Sequence, residues 1–344
     1  MIQIQNIYYM LAYAFRILQK QGYKNLAAES FEHTGDLLSA ILEQGLKNQV
    51  KRGLLKDYRE KTEPLSGLRG RIEVSESIKQ QTLIRHQLIC TYDEFSVDSY
   101  KNRILKTTLE MLLRCELPQK RRQSLRRLLA YFTDVSSIDP KHINWHLRYD
   151  RNDQTYRMLI AICYLILNGL IQTTTDGKLR MMDFLDDQRM CRLYEKFILE
   201  YFRQEHPEIR TNASQVKWAL DDDMGNLLPM MQTDVTLRYR NRTLIIDAKF
   251  YGKILQRNFK QSSIHSGNLY QIFTYVKNER ESGDGNEVSG MLLYAGTDED
   301  VQPDQTYRMS GNTISVKTLH LDRDFEEIRK QLDGIAEELT KYIE

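Results

Sequence analysis

Cysteines are few in this sequence, and none stands close enough to another to act with it. Cys90, Cys115, Cys163 and Cys191 are scattered, with no C-x-x-C spacing. A zinc ribbon or a redox dithiol needs such pairs, so neither is indicated. Isolated thiols fit buried positions in a reducing cytoplasm. Long hydrophobic runs are missing too. The longest, Met158 to Leu170, falls short of the ~20 residues of a membrane span. The opening residues, Met1 to Asn6, lack the basic start and apolar run of a secretion signal. The expected location is therefore the cytoplasm, with no membrane partner. Charge of one sign is also lacking, because the formal net charge is only +2 over 344 residues. Nucleic-acid contacts would therefore have to come from local patches. There is no internal repeat, no low-complexity segment and no G-x-x-x-x-G-K-[ST] loop. The last absence means that the chain is not expected to hydrolyse GTP alone.

What is present suits a soluble α+β or α/β protein long enough for two domains, at 41% hydrophobic and 28% charged residues. Residues 6–19 carry Ile7, Met10, Leu11, Ala14 and Leu18 at helical spacing, with Asn6 as the expected N-cap. Asp36 opens a second helix that runs to about Val50 and stops at Gly53. A small curved β unit follows. It is read as a strand at 54–58, a polar loop at 59–66, a strand reached through 67–74, and a third strand at 83–95. A helix at 98–114 precedes another with Pro118 in its first turn. That second helix bears Lys120, Arg121, Arg122, Arg126 and Arg127. Those cations are either a phosphate- or partner-binding ridge or a solvated face. His142 and His146 would share a helix face at a spacing that suits zinc. No third ligand is apparent, and Pro140 and Trp145 favour ordinary packing. Residues 156–170 form an apolar helix bridging the halves, and 173–178 form a loop. The division is set at 1–152, a mixed helical and small-β docking domain, and 153–344, a mixed sheet flanked by helices.

The chemistry concentrates in residues 232–249. Residues 233–239 alternate polar and apolar, 240–242 turn, and Thr243 to Ile246 form a buried apolar run. This is an antiparallel hairpin. Asp234 opens its first strand, and Asp247 and Lys249 end its second on one face. Two carboxylates and an ammonium at the end of an apolar strand are costly as pure structure. Asp234 and Asp247, with the backbone carbonyl of Ala248, could hold Mg2+ through hard oxygens. Lys249 could then orient water or counter transition-state charge. A surface ion-pair cluster is the alternative. Glu195 lies on the helix at 186–204, between the core residues Leu193 and Phe197. Gln271 and Tyr275 stand four apart on a helix within 262–277. Strands near 291–294, Tyr307 and 313–320 and a helix at 322–342 complete the chain.

Asp234 followed by Asp247-Ala248-Lys249 resembles the PD-(D/E)XK nuclease signature. Gln271 to Tyr275 matches the Q-x-x-x-Y motif that follows it in a subset of those enzymes. Asn6 to Leu11, Gly70-Arg71-Ile72-Glu73, Asn102-Arg103-Ile104 and Asn268 to Gln271 are similar to McrC. McrC is the nuclease subunit of McrBC-type methylation-dependent (5-methylcytosine) restriction systems. The resemblance spans nearly the whole chain. It implies Asp234 and Asp247 as metal ligands for Mg2+, with Mn2+ as a substitute, and Lys249 as the catalytic lysine. Gln271 and Tyr275 would support the site or touch the DNA backbone. Glu195 occupies the helix where many such nucleases place a further acid. The proline that often precedes the first acid is absent: Thr233 stands there, and Pro229 lies further upstream. The implied partners are double-stranded DNA and an McrB-like AAA+ GTPase, so GTP enters only through that partner. Arg69 and Arg71 are the expected partner contacts, although Arg71 could instead pair with Glu73 or Asp93. The alternatives are a non-catalytic adaptor of the GTPase and a stand-alone repair-type nuclease.

Overall fold

A strand buried on both faces must be apolar along its length, and Thr243 to Ile246 meets that demand. In the computed structural model these residues lie in the Arg242–Lys249 strand, inside a six-stranded sheet. The structure describes residues 2–19, 23, 26, 29, 31, 33–150, 153–173, 179–181, 187–222, 227–251, 255–258, 261–282, 286–296 and 302–341. The sheet order is Gln305–Met309, Asn312–Leu319, Glu287–Ala295, Arg242–Lys249, Val235–Tyr239 and Arg210–Asn212. Arg242–Lys249 pairs in parallel with Glu287–Ala295, which pairs in parallel with Asn312–Leu319. The remaining neighbours are antiparallel. A parallel pair needs a crossover, and the Ser266–Ser282 helix lies in the connection between the first two. Mixed helix and sheet was the expected class.

That crossover helix seats itself closely. Ile272, Tyr275 and Val276 share one core cluster with Ile245, Leu292, Ile314 and Val316. The close approach depends on Gly290, which pairs with Ile245 in the ladder. A Cβ on Gly290 would lie 2.8 Å from both Ile272 Cγ1 and Val276 Cγ2. The Asp187–Glu205 helix also packs against the central strand. It buries Leu193, Tyr194, Phe197, Ile198, Tyr201 and Phe202.

The chain divides into two compact units, 1–37 with 183–344, and 38–182. This differs from the expected single cut at 152/153. The first residues join the C-terminal unit because Asn6 is not an N-cap. It sits inside the Ile4–Ala14 helix, where its Nδ2 donates to Leu321 O and to Arg323 O at 2.8 Å each. Tyr13 strengthens the link by donating to Glu205 Oε1 at 2.7 Å. The helix Gln154–Leu165, which ends in a π-helical turn, belongs to the unit 38–182.

Within 38–182, the Asp57–Leu65, Leu88–Ser96 and Arg71–Ile72 strands form a three-stranded sheet with Leu88–Ser96 in the middle. The expected polar loop at 59–66 is therefore a strand, so Pro64 lies in an edge strand, where proline is tolerated. Residues 82–85 form a 3-10 turn rather than the start of the third strand. Gly70 has φ +67°, and a Cβ there would meet Thr91 O at 2.3 Å, so no side chain fits. Asn102 is fully buried and ties the sheet to the helices. Its Nδ2 donates to Leu55 O at 2.8 Å and to Val97 O at 2.7 Å, and its Oδ1 accepts from Tyr156 Oη at 2.6 Å. Pro118 precedes the Gln119–Leu129 helix as its N-cap. On that helix Arg121 pairs with Glu43 at 2.9 Å and Arg122 donates to Cys115 O, so the basic ridge is partly internal. His142 ends a short 3-10 turn and faces Asp139 at 2.9 Å, so His142 and His146 do not share a helix. The expected loop at 173–178 lies almost wholly outside the described residues. Among the described residues no helix is long and apolar enough to cross a membrane.

Gly290 provides a direct test of how the crossover helix is held. Gly290→Ala is expected to lower the unfolding free energy by about 1–3 kcal/mol through overpacking. Denaturant titration measures this, and an unchanged midpoint would mean that the helix can back away from the sheet.

Candidate active site

The hairpin turn is short, with Arg240 in the left-handed region at φ +53°, and the ladder pairs Ile246 with Val235. One more step of that register sets Asp247 opposite Asp234. Opposed residues of an antiparallel pair share a face, so the two carboxyl groups meet. Ala248 N–H donates to Asp234 Oδ2 at 2.9 Å, which fixes the first acid against the end of the central strand. Asp247 is 1% exposed. Lys249 Nζ stands 2.8 Å from Asp247 Oδ2 as an ion pair but is not aligned as a donor. Neither Asp247 oxygen receives an aligned hydrogen bond.

Ile245, Asp247 and Lys249 share a strand face by alternation, and Ile245 packs against the Ser266–Ser282 helix. That helix therefore brings Gln271 over Lys249. Lys249 Nζ donates to Gln271 Oε1 at 3.3 Å, and Gln271 Nε2 donates to Tyr275 Oη at 2.9 Å. The four-residue spacing of Gln271 and Tyr275 makes the second contact possible. On the parallel neighbour, Tyr294 is paired with Lys249 in the ladder, and its hydroxyl accepts from Asn268 Nδ2 at 2.8 Å. Sequence reasoning assigned no role to Tyr294 or Asn268. Only the fold brings them to Lys249.

Glu195 also reaches this site. Cys191 Sγ, one turn earlier on the same helix, donates to Glu195 Oε1 at 3.1 Å. Burial and the charge of Asp234 raise the Glu195 pKa. Cys191 was not foreseen, although its spacing from Glu195 was visible. Burial pushes its thiol up to about 11. Burial likewise raises both aspartates, with Ala248 N–H and Lys249 opposing the rise at Asp234, and Lys249 opposing it at Asp247. Burial alone would lower the Lys249 ammonium, but Asp247 and Asp234 outweigh it and raise its pKa. Lys249 is thus a fixed cation.

Among the described residues no group of three His, Cys, Asp or Glu side chains is arranged to hold a metal. The available set is two close carboxylates, a backbone carbonyl and Glu195 at the margin. Two hard carboxylates, one lacking aligned donors on both oxygens, fit Mg2+, which keeps several of its own waters. Arg69 and Arg71 belong to the unit 38–182. The Arg69 guanidinium lies 3.9 Å over the Tyr92 ring, and Arg71 pairs with Glu73 at 2.7 Å.

The raised carboxyl pKa values have a defined sign in stability. The folded chain binds more protons than the unfolded one above the ordinary carboxylate value, about 3.9. The associated stability is full below that value and is lost as pH rises through the raised folded values. Asp247→Asn removes one titrating group, so its melting temperature should fall less between about pH 4 and neutrality than that of the wild type. Scanning fluorimetry across pH checks this; identical slopes would remove Asp247 from the explanation.

The family model described as McrBC 5-methylcytosine restriction system component matches residues 3–295. The chain is 33% identical over 347 residues to the Type IV methyl-directed restriction enzyme EcoKMcrBC of Escherichia coli (strain K12), covering 99% of each. Its fold is similar to a chain in the refined half-complex from the tetradecameric assembly of Thermococcus gammatolerans McrB AAA+ hexamers with bound McrC. That match has a TM-score of 0.51 at 16% identity, covering 94% of this chain and 75% of the other. By the extent of the family match and of the identity to the E. coli enzyme, the chain belongs to the family of McrBC 5-methylcytosine restriction system components.

Proposed function

We propose that this chain is the DNA-cutting subunit of its restriction system, a metal-assisted endonuclease of the PD-(D/E)XK kind. The observation that supports it most is Asp247: a buried carboxylate without aligned donors, opposite Asp234 and beside Lys249. Asp234 and Asp247 would hold Mg2+ or Mn2+, with the Ala248 carbonyl and Glu195 as further oxygens. The ion, when bound, supplies charge neutralisation and polarisation at the scissile phosphate. Lys249 acts as a fixed positive charge toward the developing oxyanion rather than as the base, because its neighbours keep it protonated. Gln271, backed by Tyr275, holds the ammonium in place.

Partnership with an McrB-like AAA+ GTPase is part of this reading, with GTP used and methylated cytosine recognised by that partner in the cytoplasm. The small β unit is the proposed docking element. Tyr58, Leu68 and Ile84 are 75%, 71% and 75% exposed. These exposed apolar side chains are the contact points offered to that partner. Arg71, with 72% of its side chain exposed, is better placed to reach one than Arg69, which is spent on Tyr92.

Asp247→Ala and Lys249→Ala should each reduce cleavage of methylated duplex DNA by about 100-fold or more in the presence of Mg2+, GTPase and GTP. Gln271→Ala should cost roughly 10–100-fold, as expected for a group that orients another. Gel assays of nicked and linear product measure both. Full cleavage by Asp247→Ala would sink the metal assignment, and robust cutting without the GTPase would favour a stand-alone nuclease. For docking, Tyr58→Ser with Ile84→Ser should reduce stimulation of GTP hydrolysis; normal stimulation would move the contact elsewhere.

A further inference from the structure

Two arginines face each other across the outermost strand pair at one edge of the six-stranded sheet. The ladder of Arg210–Asn212 with Val235–Tyr239 sets Arg210 opposite Arg238. Like charges directly opposed destabilise an antiparallel pair. A third arginine comes to the same place. Arg203, near the end of the Asp187–Glu205 helix, donates through Nε to Thr211 O at 3.2 Å. The three arginines line an open hollow of about 490 Å³ together with Asn212, Ser214 and Gln215, and no Asp or Glu lines it.

Two of the three are held in place. Arg203 Nη1 donates to Glu200 Oε1 at 2.7 Å. Arg238 donates through Nη2 to Glu279 Oε1 at 2.6 Å and through Nη1 to Ser214 Oγ at 3.0 Å. A guanidinium has five N–H donors, so both keep donors in reserve. Arg210 is exposed, and its side chain has no partner among the described residues. The hollow thus gathers three cations against two acids that lie outside its lining. A charged edge strand also discourages strand-to-strand association, but Arg210 alone would serve that end.

One helix relates the hollow to the candidate active site. Gln271, Tyr275 and Glu279 recur at four-residue spacing on the Ser266–Ser282 helix and share a stripe. One end of that stripe meets Lys249 and the other meets Arg238. Eight residues of helix span about 12 Å. Along the strand, Asp234 and Arg238 share a face by alternation, and four residues span about 13 Å. Roughly four base steps of duplex, at about 3.4 Å each, cover that distance.

We propose that Arg203, Arg210 and Arg238 form a phosphate-binding subsite that grips the backbone of duplex DNA to one side of the cut. The identity of this ligand rests on the nuclease reading. Guanidinium forks match phosphate oxygens in bidentate geometry, and arginines already oriented by Glu200 and Glu279 lose less freedom on binding. A bound phosphate also relieves the repulsion between Arg210 and Arg238. Such contacts set the register of the duplex over Asp234 and Asp247 and carry no sequence information, consistent with methyl recognition residing elsewhere.

The test is binding of the full chain to a fluorescent duplex in EDTA, by anisotropy across a salt series, alongside thermal melting. Arg210→Ala should flatten the slope of log affinity against log salt by about 0.9, the value of one phosphate contact. Arg210→Glu should flatten it by roughly 2 and weaken binding at least about tenfold, because it also occupies Arg238. Its melting temperature should equal or exceed that of wild type, since opposite charges then face each other across the ladder. Arg210→Lys should keep the wild-type slope. The subsite is overturned if Arg210→Glu binds duplex like wild type, or if its affinity falls together with its melting temperature. It is also overturned if Arg210→Lys flattens the slope as far as Arg210→Ala, or if wild type shows no salt-dependent binding. Arg210-dependent binding by a wild-type chain that never cuts in the cleavage assay would support the subsite while defeating the nuclease reading. Cleavage by wild type with unchanged binding by Arg210→Glu would do the reverse.

Discussion

One buried electrostatic arrangement constrains this fold more than any other: Asp247, 1% exposed, with Lys249 2.8 Å away and Asp234 brought opposite by the hairpin register. Removing charges from water costs several kcal/mol per ion, and the mutual attraction repays this only with good supporting contacts. Those contacts come from three elements. Ala248 N–H holds Asp234, Gln271 accepts from Lys249, and the strand ladder fixes Asp247. The arrangement leaves Asp247 without aligned donors, so the balance is incomplete within the protein. A site left short of positive charge in this way is suited to a cation rather than optimised for stability.

Buried asparagines carry much of the rest. Asn6, Asn102 and Asn268 are 1%, 0% and 8% exposed, and each stands in a segment whose sequence resembles McrC. Each uses its amide to bond a group far away in sequence: Asn6 the backbone near Leu321, Asn102 the backbone of Leu55, and Asn268 the Tyr294 hydroxyl. A buried amide is costly unless its hydrogen bonds are met, so it specifies the arrangement that satisfies it. These motif residues are therefore structural clamps. Asn6 unites the start of the chain with the six-stranded unit, and Asn268 supports Tyr294, the ladder neighbour of Lys249.

The two units solve different physical problems. The six-stranded sheet, covered by helices, buries an apolar centre and exposes chemistry only at strand ends. The three-stranded sheet of the unit 38–182 has its edge strand Asp57–Leu65 exposed along most of its length and is stitched by polar contacts such as Thr62 to Thr91 at 2.8 Å. That difference explains why the edge strand read as a loop. Its residues are polar on both faces, and periodicity detects a strand only where one face is buried.

Local chemistry in the sequence determined the hairpin, the shared face of Asp247 and Lys249, the Gln271–Tyr275 spacing and most helices, because these follow from side-chain alternation and helical period. Glu195 was a candidate on one helix, but nothing local could say whether it faced solvent or the acids; the fold brought it within reach of the Asp234 charge, which with burial raises its pKa. The same holds for Lys249 with Gln271, whose contact depends on Gly290 admitting the crossover helix. The grouping of residues 1–37 with 183–344 was likewise beyond local reading, since it rests on hydrogen bonds between residues more than 300 apart. Sequence periodicity dictates which way a side chain points along its own element. Only tertiary packing decides what it meets there.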